Sequence, residues 1–136
     1  MVNTDFFTDK TRKKRFEIRQ RTGCKSANAI YLAFCDRCNR EQYVGKLESQ
    51  KAHRRINKHR NDAKRDDAIS IDKHFREPGH SFDDFRIIII EESADTTMTK
   101  EQTRHALLWR EDFWIKTLGS LKPHGYNDKL NFPSQA

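Results

Sequence analysis

Two short β-prone runs, each carrying a tyrosine and followed by a basic segment, constrain this chain more than any other feature. Ala29 to Phe34 is apolar and suits a buried strand, and Gln42 to Val44 can return on it as an antiparallel partner. The residues after Gly45 and Lys46 predict a helix that opens near Ser49, whose hydroxyl can cap it, with Ala52, Ile56 and Ala63 on one side. Arg55 and His59 are four residues apart, so both side chains point the same way, toward the ribbon that carries Tyr31 and Tyr43.

Further along, Asn61 to Asp67 reads as a charged turn. Ala68, Ile71 and Phe75 suit a short second helix that Pro78-Gly79 ends. Phe85 to Ile90 contains four consecutive isoleucines and leaves no polar face, which predicts a strand at the centre of the sheet, covered on both sides. After a polar loop from Glu92 to Met98, Thr99 with Gln102 has the form of a capping box. It opens a long helix running to about Leu118, and Gly119 supplies the stop. Lys122 to Asn127 is turn-rich.

A chain of 136 residues is enough for one small domain. Hydrophobic and charged residues each make up 35%, so a compact core with long charged side chains over its rim is expected. The net charge of +7 and pI of about 9.5 favour a polyanionic partner, although a solvated basic surface would look the same. No run approaches the roughly 20 apolar residues of a membrane span, and no apolar h-region follows the N-terminus, so a soluble intracellular protein is expected. Residues 1–22 read as a basic arm, disordered or weakly helical, with Phe6 and Phe7 able to stitch it to a domain over 23–130; 131–136 is a tail.

Two constellations carry chemistry. Glu111 falls in the middle of the stripe formed by Leu107, Leu108, Trp114, Ile115 and Leu118. An ionised carboxylate there costs on the order of several kcal/mol unless a cation or hydrogen bonds meet it. A structural salt bridge with Arg104 or Arg110 and a metal ion are both open. Cys35-x2-Cys38 with His74-x5-His80 fits tetrahedral zinc ligation, the alternative being reduced thiols and loop histidines. Cys24 is unassigned.

Ala29-Ile30-Tyr31, Tyr43-Val44-Gly45, Arg55 and His59 together resemble the GIY-YIG nuclease superfamily, in which a tyrosine on each of two strands and an arginine on the next helix build a metal-dependent DNA-cleaving site. Ala29 replaces the first glycine of that signature, and the second half is intact. With two cysteines between the tyrosines and two histidines beyond, the closest resemblance is to the endonuclease-like domain of Penelope-like retroelements, over Cys24 to Asn127.

The resemblance implies an α/β (α+β) fold, with a small three-stranded antiparallel central sheet flanked by helices. It implies that Glu111 holds one divalent cation, magnesium or manganese, and that Arg55 stabilises the transition state. Tyr31 and Tyr43 position or deprotonate the attacking water with help from Lys46, and His59 and Asn127 fill auxiliary polar positions. Cys35, Cys38, His74 and His80 hold structural zinc. Expected DNA contacts are Arg12, Lys13, Lys14 and Arg15 in the arm and Arg54, Lys58 and Arg60 on the helix. The function implied is hydrolytic nicking of DNA for a retroelement, in the nucleus if the source is eukaryotic, with a reverse transcriptase domain in the same or a longer polypeptide as partner. A DNA-binding module of the same fold that has lost catalysis is the second reading, and a zinc-stabilised interaction domain the third.

Overall fold

A computed structural model of the chain describes residues 6–8, 15–17, 28–38, 42–93 and 97–133. In chain order these form strands β1 (Phe6–Thr8), β2 (Arg15–Glu17), β3 (Ala29–Cys35) and β4 (Gln42–Leu47), helices α1 (Ala52–Asp62) and α2 (Ser70–His74), strand β5 (Phe85–Glu92) and helix α3 (Lys100–Leu118). The main sheet is antiparallel with order β4-β3-β5.

Every residue of β3 is buried because both faces of the sheet are covered. Ile30, Leu32 and Phe34 join Leu107, Ile115 and Leu118 of α3 in one core cluster. Tyr31, Ala33 and Cys35 join Ala52 of α1 and Ile71 of α2 in the other. Ala29 lies in this second cluster with ordinary strand geometry, so its position requires no glycine.

The isoleucine run does not take the centre of the sheet. β5 is an edge strand and β3 is central. Ile87 and Ile89 face one cluster while Ile88 and Ile90 face the other, so an all-apolar run reports burial of both faces and says nothing of how many neighbours pair with the strand. α1 likewise starts later than expected. Lys51 is its N-cap, without a side-chain cap, and Ser49 instead sits in a left-handed turn (φ 48°) whose amide donates to Asn28 Oδ1 at 2.9 Å. The helix also runs on to Asp62, into the stretch read as a turn, whereas α2 stops at His74, short of Pro78.

The Thr99–Gln102 capping box and the left-handed Gly119 (φ 64°) bound α3 as anticipated. Glu91 accepts from Arg110 at 2.6–3.0 Å and from Trp114 Nε1 at 3.1 Å, which ties this helix to the end of β5. Where a disordered or weakly helical arm was expected, its described residues form an antiparallel ribbon, β1 with β2. Phe7 stacks on Phe16 with centroids 5.2 Å apart, and both meet Trp114 edge-on. Arg12, Lys13, Lys14 and Cys24 lie outside the described residues.

The free edge of β4 is closed by the C-terminal turn. Tyr126 N–H donates to Gln42 O at 2.8 Å, and the Asn127 amide pairs with both backbone groups of Val44 at 2.9 Å. An unpaired strand edge invites aggregation, and a side chain that mimics a backbone partner removes it. Asn127→Ala strands two buried backbone groups, each costing about 1–3 kcal/mol, so a loss of about 2–6 kcal/mol is expected. Urea denaturation measures it, and an unchanged midpoint would show that the clamp does not hold β4.

Candidate active site

Tyr31 stands directly across the ladder from Gly45. A Cβ at position 45 would lie 2.6 Å from Tyr31 Cε1 and nearer still to Cζ and the hydroxyl, so the phenol occupies the space a side chain would fill. This is the physical reason for glycine there. Laid over β4, the Tyr31 hydroxyl meets His59 Nε2 at 2.9 Å, and His59 Nδ1 meets Asp72 Oδ1 at 2.7 Å. Tyr31, His59 and Asp72 are 0%, 7% and 8% exposed, so the chain of hydrogen bonds is largely buried.

Tyr43 falls on the same face, its ring centroid 6.3 Å from that of Tyr31 and 6.1 Å from His59. Its hydroxyl has no hydrogen-bond partner among the described residues. Burial is the main force on both phenols. It drives Tyr31 well above the ordinary tyrosine range and Tyr43 up to about 12, with the Glu111 charge adding to the rise and the Arg55 charge opposing it. Arg55 projects from α1 over the Tyr31 ring, Cζ 6.0 Å from the centroid, while its Nε donates to Gln50 Oε1 at 2.9 Å.

Glu111 reaches this group from α3. Neither arginine proposed as a structural partner pairs with it: Arg110 is engaged by Glu91 at 2.6 Å and Arg104 approaches Glu48 at 3.9 Å. Its neighbour is Asn131, whose Nδ2 donates to Glu111 Oε1 at 2.8 Å. Asn131 is held in turn by buried Asp112, which accepts from the backbone N–H of Asn131 and Phe132 at 2.7 and 2.8 Å. Burial raises the Glu111 carboxyl above its usual range, against the Asn131 hydrogen bond and the Lys46 charge, which lower it. Lys46 Nζ lies 3.3 Å from Glu48 Oε2, and its charge bears on Glu111 rather than heading the influences on either tyrosine. A half-buried carboxylate with one hydrogen bond and no paired cation fits a divalent ion that keeps most of its waters.

Asp72, Asp112 and Asn131 were absent from the residues picked out in the sequence. Asn127 is placed beside the site, its amide engaged by Val44 and by Ser120 Oγ at 2.7 Å, so it fixes the strand next to Tyr43.

The ligand atoms of Cys35, Cys38, His74 and His80 all lie within 4.8 Å of one another. Cys38 Sγ is 3.7 Å from His74 Nε2, and His80 Nδ1 is buried without a hydrogen-bond partner. Ligands on a shared tetrahedral ion stand about 3.3–3.8 Å apart, and an orphaned ring nitrogen in a buried pocket lacks what such an ion supplies. The cluster can therefore hold a metal. The other ring nitrogen of His74 faces the Tyr126 hydroxyl at 3.4 Å, the outer contact that orients a ligating histidine.

Of the residues expected to meet DNA, Arg54 is exposed on α1. Lys58 pairs with Asp62 at 2.7 Å, and Arg60 donates to Asn57 at 2.7 Å and covers the Phe82 ring. Arg15 lies exposed on β2. Among the described residues no helix is long and apolar enough to cross a membrane.

No protein-family model matches the sequence, and no curated protein does. Among solved structures the chain is similar to the catalytic domain of homing endonuclease I-TevI, at 26% identity and a TM-score of 0.55, with 75% of this chain and 98% of that one covered. The chain thus has the fold of the GIY-YIG nuclease superfamily, joined to a Cys/His cluster able to bind metal.

Because its folded-state carboxyl is raised, Glu111 binds its proton more tightly folded than unfolded. Stability is therefore lost as pH rises from the usual glutamate value through the raised one. Glu111→Gln keeps an acceptor for Asn131 and removes the charge, so it is expected to melt above the wild type at pH 7, with the difference closing near pH 4. Thermal melts at both pH values test this; a variant that melts lower at both would mean the carboxylate is stabilised by its surroundings.

Proposed function

We propose that this domain is a metal-dependent DNA endonuclease that hydrolyses one phosphodiester bond at a time. The observation that carries the reading is the convergence of Tyr31, Tyr43, Arg55 and Glu111 from four different elements on one place, with their charges felt by one another.

A divalent ion held by Glu111 would supply positive charge to the scissile phosphate. Neutralising Glu111 also removes one of the influences that raise both phenols, which brings them nearer to useful proton acceptors. Arg55 is parked on Gln50 and over Tyr31, and the phosphate takes over its donors. A planar guanidinium matches phosphate oxygens in pairs and opposes the charge that builds in the transition state. Its departure uncovers the Tyr31 hydroxyl. Tyr43, whose hydroxyl is uncommitted, positions the water, and Tyr31 takes its proton.

Lys51, Arg54, Arg55 and Lys58 follow helical spacing on one side of α1 and form the track for the DNA backbone, which gives a salt-dependent affinity. Zinc is the ion suited to two thiolates and two imidazoles, and its role is to clip the turn after β3 to α2. Service to a Penelope-like retroelement, with a reverse transcriptase partner and a nuclear site of action, is our reading of the sequence resemblance alone.

Supercoiled plasmid incubated with the protein and magnesium or manganese is expected to be nicked, and Arg55→Ala and Glu111→Ala to lose a factor of about 10² to 10³ or more while still folding and binding DNA. A wild type that binds but cuts nothing with any divalent ion would make the binding module the better reading. The purified protein is also expected to carry about one equivalent of zinc, and a strong chelator to lower its melting temperature in a way that magnesium does not reverse. Metal analysis that finds no zinc would remove that assignment.

A further inference from the structure

We infer that Asp72 is a positioning residue of the reaction, resting on the nuclease reading above: it holds His59 so that Nε2 is the acceptor for the Tyr31 proton, completing a buried Tyr31–His59–Asp72 relay. The geometry decides the direction. An ionised carboxylate only accepts hydrogen bonds, so Asp72 Oδ1 at 2.7 Å requires the proton to sit on His59 Nδ1. In the neutral imidazole Nε2 then carries the lone pair, and it faces the Tyr31 hydroxyl at 2.9 Å. The imidazole cannot easily turn away, because Tyr31 meets it edge-on at 5.9 Å, Tyr43 at 6.1 Å and Phe85 packs on it at 5.3 Å.

A relay of this kind balances. As the oxygen of the attacking water bonds to phosphorus, one water proton passes to the Tyr31 oxygen, and the original phenolic proton passes to His59 Nε2. The imidazolium so formed is stabilised by Asp72, which takes no proton itself. His59 afterwards returns its proton through solvent, and the leaving oxygen collects one. In this arrangement neither buried phenol has to exist as a free phenolate, which its burial opposes.

Asp72 owes its place to the way α2 is held. The helix is only five residues long, and it begins at Ser70 in a left-handed conformation (φ 57°) that a residue with a side chain adopts only when its surroundings demand it. There Ser70 Oγ donates to Tyr126 O at 3.0 Å, and at the other end His74 belongs to the Cys/His cluster. A cleft of about 210 Å³, lined by Lys58, Asp62, Arg65, Asp67 and Ile69, opens beside Asp72 and gives small solutes access to it.

The test uses the full chain with zinc, comparing wild type with Asp72→Asn and Asp72→Ala. Single-turnover nicking at saturating DNA is expected to fall by about 10² or more, up to the factor of about 10⁴ seen when the orienting acid of a serine-protease triad is replaced. DNA affinity should stay within about twofold, and formate should restore part of the rate of Asp72→Ala through the cleft. Independently of activity, the ring ¹⁵N shifts of His59 should report a proton on Nδ1 and a bare Nε2 in the wild type, and a changed tautomer in Asp72→Asn. Folded variants that cut at the wild-type rate would overturn the inference, and so would an Asp72→Ala whose loss formate does not touch. If the wild type proves to cut nothing, the nuclease reading fails separately and the tautomer decides this one: Nδ1–H dependent on Asp72 upholds the positioning, and Nε2–H in the wild type ends it.

Discussion

The Tyr31 ring fills the space that a side chain at position 45 would need, and the candidate site is arranged around that contact. The two residues face each other because β3 and β4 pair in one register. A slip of one residue would turn Tyr31 toward α3 and Ile30 toward α1. The register is fixed by apolar burial on both sides, so the core specifies the chemistry's geometry without contributing to the chemistry. Tyr43, two residues before Gly45, necessarily shares the face, and the spacing of α1 puts Arg55 and His59 above the pair.

Burial at this contact has a cost that the rest of the site answers. Two phenols and a carboxylate are moved out of water together, and the Glu111 charge raises both phenols further while Tyr43 raises Tyr31. The charges of Arg55 and Lys46 and the Asn131 hydrogen bond oppose this. Asn131 in turn depends on Asp112, a carboxylate satisfied entirely by backbone N–H groups of the C-terminal segment. The orientation of Glu111 is therefore set from behind by the C-terminal segment.

Much of this arrangement is legible in the sequence, because it rests on local periodicity. Tyr31 and Tyr43 on paired strands, the four-residue spacing of Arg55 and His59, the capping box at Thr99 and the Gly119 stop are all short-range signals. Ser49 misled because a serine before a helix looks like a cap whether or not the chain has yet turned into helical geometry, and here Asn28 draws its amide elsewhere. The isoleucine run misled because two-faced burial is common to central strands and to edge strands covered by helices on both sides. Asp72 and Asp112 gave no signal. An acidic residue in a charged chain looks like any solvated acid until tertiary contacts bury it, and the partners here come from residues 13 and 19 to 20 positions away. Phe7, expected to stitch the arm to the domain, does so in the core beside Trp114, whereas its partner Phe16 was hidden, since a three-residue strand has too little pattern to separate from coil.

α2 connects these observations. Five residues cannot sustain a helix by their own hydrogen bonds, since nucleation alone outweighs what so short a segment returns. It persists through what it touches: Ile71 and Phe75 in the core, Ser70 on the C-terminal turn, and His74 among the sulfurs and nitrogens that follow β3. The same C-terminal turn that receives Ser70 also closes the edge of β4 through Asn127, so loosening either end of α2 would disturb the strand that carries Tyr43. The Cys/His cluster thus acts on the site through rigidity. It lies at the far end of the strand from Ala29 and contributes no group to the tyrosines, yet the short helix it anchors presents Asp72 to His59. In a small domain with a modest core, a metal clip at that point restrains an element too short to restrain itself.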